Sequence, residues 1–264
     1  MKLNLVRPRT GLTWVRQGMR LFLRQPLAMS GLFFMFMSVL SLASLLPLIG
    51  PVLALVLLPA ATLGLMAASH EAEQGRFPMP TIMAIGFRTG ARQTRAMLLL
   101  GGLYALGFAV VIGLSALIDG GEFARLYLLG GTINEEVVSD PQFQAATWTA
   151  ALLYAPLSLI FWHAPALVHW HQIDPVKSLF FSAMACWKNI GAFIVYALGW
   201  FGSFLVAGVV VALLASLFDS PSVAATVMLP VALIMAAMFF SSLYSTFRDN
   251  FSADEPQTRV DEVV

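Results

Sequence analysis

Six stretches of twenty or more mostly apolar residues constrain this chain more than any other feature. A helix needs about 20 such residues to cross a hydrocarbon core of roughly 30 Å, and lipid offers no partner to an exposed backbone amide. The pattern predicts spans at Leu27–Leu46, Leu48–Ser69, Ala96–Ile118, Ala146–His169, Ile190–Phe218 and Ser222–Tyr244. With 59% hydrophobic and 11% charged residues in 264, an ordinary water-soluble core is excluded. The expected fold class is all-α: a polytopic membrane helical bundle of six transmembrane helices in three hairpins, with amphipathic interfacial helices on the cytoplasmic side.

Pro47, Gly50 and Pro51 divide the first apolar block, because proline removes a helix hydrogen bond and glycine permits a turn. Asp219-Ser220-Pro221 divides the last block in the same way. The first apolar stretch is too long for a cleaved signal and has no convincing small-residue cleavage site, so it is expected to be retained. Placing the N-terminus inside leaves Arg125 as the one outside member of the 15 Lys and Arg residues. Since cytoplasmic loops retain basic residues, both termini of this multi-pass chain are expected in the cytoplasm.

The outside segment from Asp119 to Gln144 carries Asp119, Glu122, Glu135, Glu136 and Asp140, with Gly-Gly pairs at 120–121 and 130–131. It reads as a mobile acidic loop with one short helix over Glu122–Leu129. Residues 1–244 form one expected transmembrane domain, and 245–264, rich in both charge signs, a disordered cytoplasmic tail. Each hairpin is preceded by an inside segment long enough for a helix, which suggests repeats over 10–69, 79–169 and 174–244.

The most specific signal lies in those inside segments. Arg16, Arg20 and Arg24 form an i, i+4, i+8 stripe opposite Leu12, Val15, Met19 and Phe22, the design of a helix lying in the membrane plane. Arg88, Arg92 and Arg95 repeat it more weakly opposite Met83, Phe87, Gly90 and Thr94. In the third segment, Lys177 and Lys188 share a face with Phe181 and Met184, so that helix is either buried or anchored by snorkelling lysines. Such arginines either bind anionic lipid headgroups, at about 1 kcal/mol per charge near the surface, or only fix topology.

The predicted spans contain no Asp, Glu, Lys or Arg, which disfavours a proton- or ion-coupled pump. Pro59, Pro156, Pro165 and Pro230 leave helix breaks as the remaining material for a substrate site. Small residues at four-residue intervals, Ala60, Gly64, Ala68; Ala105, Ala109, Gly113; Gly199, Ser203, Ala207, are expected to face neighbouring helices. Cys186, the single cysteine, reads as a small core residue. His70, Glu73, His169 and His171 share the cytoplasmic boundary with Glu71 and Asp174; they are the only candidates for a metal site, though no ligand spacing supports one. No phosphate-binding glycine loop, nucleophile elbow or HExxH pattern occurs, so no catalytic residue, cofactor or nucleic-acid partner is expected.

Phe161-Trp162-His163-Ala164-Pro165-Ala166-Leu167-Val168, followed by Pro175-Val176-Lys177-Ser178 and Lys188-Asn189, resembles a family of uncharacterised proteobacterial inner-membrane proteins over most of the chain. Over residues 160–200 it is more distantly similar to the membrane domains attached to some glycerophosphodiester phosphodiesterases. The resemblance implies a six-span bacterial inner-membrane protein and carries over no catalytic residue. Two expectations follow. One is a non-enzymatic protein that organises anionic lipids or partner proteins, a second copy included, through its basic face. The other is an uncoupled transporter or permease component for a small amphiphilic solute, with a cavity near Pro59, Pro156 and Pro230.

Overall fold

Proline stands at the first or second position of half of the α-helices, where its missing amide costs nothing and its fixed φ is already helical. The computed structural model describes residues 2–47, 49–130, 134–217 and 221–252. In chain order its helices are α1 (Thr10–Arg24), α2 (Pro26–Ser44), α3 (Gly50–Glu73), α4 (Ile85–Arg88), α5 (Ala91–Asp119), α6 (Glu122–Leu129), α7 (Glu135–Ser139), α8 (Pro141–Phe161), α9 (Ala164–His171), α10 (Pro175–Lys188), α11 (Ile190–Leu217) and α12 (Pro221–Asn250). A 3-10 turn over Pro80–Ala84 leads into α4. Two short strands, β1 (Lys2–Leu3) and β2 (Phe251–Ser252), pair antiparallel and tie the start of the chain to the end of α12.

The six expected spans are present as α2, α3, α5, α8 with α9, α11 and α12. They pair as the hairpins α2/α3, α5/α8 and α11/α12. The central member is α3, which packs on α2, α5, α9 and α12 and has 56% of its most apolar stretch buried. The peripheral α11 has 11% buried. Leu198, Phe201, Leu205 and Val206 on its outer surface are exposed, which suits lipid and not water.

Several sequence expectations are corrected. The first amphipathic helix does not rest its apolar face on lipid; α1 lies across α11 and α12. Its buried stripe is Gly11, Trp14, Val15, Gly18, Leu21 and Phe22, while Leu12 is 41% exposed. Two glycines permit this approach. A Cβ on Gly11 would stand 2.1 Å from the Ala192 carbonyl oxygen, and one on Gly18 would stand 2.5 Å from Ser242 Cβ. The stripe Ala105, Ala109, Gly113 does not face the bundle: Ala109 and Gly113 are exposed, because α5 buries Met97, Leu100, Gly101, Tyr104 and Phe108.

The fourth span is broken rather than continuous, since Pro165 in the first turn of α9 starts a new helix after Trp162–His163. The tail boundary at 245 falls inside α12, which runs to Asn250 and then into β2. Residues 253–264 of that expected tail lie outside the described residues. The acidic segment contains α6, as expected, and also α7. Its two aspartates bond the starts of the following helices: Asp119 accepts from the Gly121 and Phe123 amides and Asp140 from the Gln142 amide.

Candidate functional site

The segments expected to lie inside meet at one end of the bundle. Gln25, between α1 and α2, donates from Nε2 to the Arg76 carbonyl at 3.2 Å, joining the first turn to the one after α3. Arg248 near the end of α12 forms an ion pair with Glu73 at the end of α3. At the same end Gln93 of α5 donates to His169 Nδ1 of α9 at 3.3 Å. The basic residues of α1, α4 and the start of α5 therefore lie at the same end of the bundle.

Arg16, Arg20, Arg24, Arg88, Arg92 and Arg95 are all exposed. Among the described residues none of the six meets a carboxylate, whereas Arg76 pairs with Glu71, Arg125 with Glu122, and Arg248 with Glu73 and Asp249. The stripe on α1 points outward because the opposite face is fixed: Trp14 is fully buried against Phe193 and Tyr196. The second group is split by Gly90, whose φ of +115° ends α4 and starts α5. Thr94 Oγ1 donates across that turn to the Phe87 and Gly90 carbonyls, both at 3.2 Å.

The histidine and carboxylate candidates are engaged elsewhere. Glu73 is held by Arg248, Glu71 by Arg76, and His70 Nε2 lies 2.8 Å from Gln74 Nε2 with its ring against Tyr244 and Trp170. His169 takes the bond from Gln93, and His171 packs on Phe247. Asp174 caps α10, accepting from the Val176 and Lys177 amides. Among the described residues no three His, Cys, Asp or Glu side chains converge as metal ligands.

The break after α8 is sealed by protein. Ser182 Oγ of α10 accepts from the His163 amide and donates to the Leu159 carbonyl, both at 2.9 Å, so the backbone groups freed at Trp162–His163 have partners without a substrate. Fully buried His163 lies with Nε2 3.2 Å from Thr246 Oγ1. Cys186 stands beside it, and burial pushes its thiol up to about 12, the property of an inert core thiol. Sequence spacing did not reveal this contact, because residues 159, 163, 182 and 246 meet only through the broken helix.

Beside the break lies a cavity of about 170 Å³ bounded by Pro59, Tyr104, Ser158, Trp162, Pro165 and Phe239, among others. Tyr104 and Tyr154, whose hydroxyls are 2.9 Å apart, give it a polar edge. Pro156 and Pro230, expected to border such a cavity, are exposed on the outer surface instead.

Comparison with known proteins adds one informative relative. The chain is 41% identical over 259 residues to a protein of Burkholderia thailandensis named a probable inner membrane protein, covering 97% of this chain and 96% of that one. No family model and no solved structure matches the chain. The expected distant likeness to glycerophosphodiester phosphodiesterase membrane domains finds no support in these comparisons.

Proposed function

This chain belongs to the family of that Burkholderia protein, as a multi-pass inner-membrane protein, and from that premise we propose that it organises anionic lipids through its arginine-bearing end without catalysing a reaction. The observation that carries the reading is the contrast between paired and unpaired arginines. Arg76, Arg125 and Arg248 have carboxylate partners, whereas the six exposed arginines of α1, α4 and α5 have none among the described residues. An unpaired guanidinium at the headgroup level retains all five of its donors for phosphate oxygens.

In this reading the arginine-bearing end and both termini face the cytoplasmic leaflet, whose anionic lipids attract each basic side chain by about 1 kcal/mol. On the outer face of α10, Val176, Phe180 and Trp187 are exposed apolar groups beside the exposed Lys177 and Lys188. That combination suits a helix seated at the lipid interface with snorkelling lysines.

The test uses protein reconstituted in vesicles containing spin-labelled phosphatidylglycerol. Arg16, Arg20, Arg88 and Arg92 changed together to Gln should lower the selectivity for phosphatidylglycerol over phosphatidylcholine severalfold, with helix content unchanged. Equal selectivity in the variant and the parent would reject the reading.

The transport alternative has a narrower basis, the 170 Å³ cavity beside the sealed helix break. Widening it by Phe239→Ala should raise flux of a small amphiphile into proteoliposomes if that cavity lies on a route. An unchanged flux that also equals that of empty vesicles would count against it.

A further inference from the structure

A second cavity, of about 270 Å³, opens between the first turns of α5 and the 172–174 turn that joins α9 to α10. A single water needs only about 10–15 Å³ of such space, so the site has room for a larger group. Its α5 wall is Arg92, Arg95, Ala96 and Leu99, which share one helix face at i, i+3, i+4 and i+7 spacing. The facing wall includes Val168, Gln172, Ile173 and Asp174. The cavity is thus polar at the arginines and apolar below them. Leu98 and Leu99, 45% and 49% exposed, continue that apolar side along α5 into the lipid-facing surface.

We infer that this cavity is a binding site for one anionic phospholipid, with its phosphodiester between Arg92 and Arg95 and its acyl chains descending along Leu99. The inference rests on the lipid-organising reading above and locates a discrete site within it. Charge selects the class of ligand. Two guanidiniums and the Asp174 carboxylate leave one net positive charge, which a singly charged phosphodiester balances and a zwitterionic headgroup does not. Neither arginine pairs with Asp174, whose Oδ1 accepts from two α10 amides. The N-terminus of α5, which no side chain caps, adds the positive end of its dipole to the arginine wall.

The walls are fixed before a ligand arrives. Buried Gln93, between the two arginines in sequence, bonds His169, and Thr94 ties α5 back to the Phe87 carbonyl. The mixed lining distinguishes a lipid from free phosphate, which has no use for Ala96, Leu99, Val168 and Ile173. The shared chemistry of the two is the phosphate oxyanion, and the experiment separates them.

Full-length protein in detergent is followed by native mass spectrometry as dioleoyl phosphatidylglycerol, dioleoyl phosphatidylethanolamine or inorganic phosphate is titrated. One phosphatidylglycerol should bind ahead of all others. Arg92→Gln with Arg95→Gln should weaken that first event roughly tenfold or more. Arg16→Gln, Arg20→Gln and Arg24→Gln together should leave it within about twofold while reducing the later, weaker events. Asp174→Asn, which retains a capping side chain, should tighten it. All the substituted side chains are exposed, so elution as the parental species controls for folding.

Unchanged first binding in the Arg92/Arg95 variant would overturn the site. The broader reading would survive if the α1 triple variant still lost its weak events, and would fall with the site if neither variant changed. Phosphatidylethanolamine binding as tightly as phosphatidylglycerol would overturn the charge assignment. Displacement of the lipid by millimolar inorganic phosphate would reassign the cavity to a free anion and overturn the lipid.

Discussion

Trp14 of α1 donates from Nε1 to Asp249 Oδ2 of α12 at 2.9 Å across 235 positions of sequence. The other carboxylate oxygen of Asp249 accepts from Arg248, which also holds Glu73. One chain of contacts therefore joins α1, α12 and α3, and it fixes which side of α1 faces away. Removing the indole while keeping a ring, Trp14→Phe, should cost about 1–3 kcal/mol through the lost bond to a charged group. Trp14→Ala should cost about 3–5 kcal/mol. Thermal unfolding in detergent measures both, and equal stability of the two variants would contradict the assignment.

Gly11 makes the same point by exclusion. A side chain there meets Ala192 and Tyr196 backbone, so Gly11→Ala must push α1 off α11, at about 1–3 kcal/mol or more. Gly31 of α2 has nothing within 4 Å of an added Cβ, so Gly31→Ala should be neutral or stabilising. Limited proteolysis between α1 and α2 should increase only in the first variant.

Ser182→Ala leaves the His163 amide without its 2.9 Å partner and takes a donor from the Leu159 carbonyl. Leaving buried polar groups unsatisfied costs about 1–3 kcal/mol. The melting temperature should fall, and a second Ser-to-Ala change at exposed Ser216 should leave it unaltered.

Cys186 supplies a pH test. Burial favours the neutral thiol and pushes its pKa up to about 12, so the thiolate that alkylating reagents need is scarce below that value. Folded protein should resist iodoacetamide from pH 7 to 9, and denatured protein should react faster across that range. Alkylation of the folded chain at the denatured rate would contradict the buried position.

The spans were legible because lipid demands length and apolarity from each of them separately, and Leu27–Leu46 or Ile190–Phe218 shows both without reference to a neighbour. The arginine stripes were legible for the same local reason, through helical spacing. What α1 packs against was not. Trp14 and Gly11 gain their meaning from Asp249 and Ala192, far away in sequence, and an apolar stripe fits lipid or protein equally well. The expected face of α1 was displaced towards Leu12 for that reason. The cavity between Arg92 and Asp174 was equally hidden, since it needs the break at Trp162–His163 and the turn at Gln172, whose φ is +54°. Asn189 entered through the Lys-Asn resemblance and its place before a span, not as a contact. Buried, it accepts from the Val6 amide and donates to the Asn4 carbonyl and to Asn250, so it clamps the N-terminal segment to the end of α12.

Lipid binding by the arginines requires that their end of the bundle face the cytoplasmic leaflet, and the single native thiol, Cys186, is buried and leaves introduced cysteines free to report on it. Cysteine placed at exposed Arg20 and, separately, at exposed Ser139 can be challenged with a membrane-impermeant maleimide in intact spheroplasts. Ser139→Cys should label at once and Arg20→Cys only after the membrane is permeabilised. Labelling of Arg20→Cys in intact spheroplasts would place the arginines outside the cytoplasmic leaflet and contradict the account.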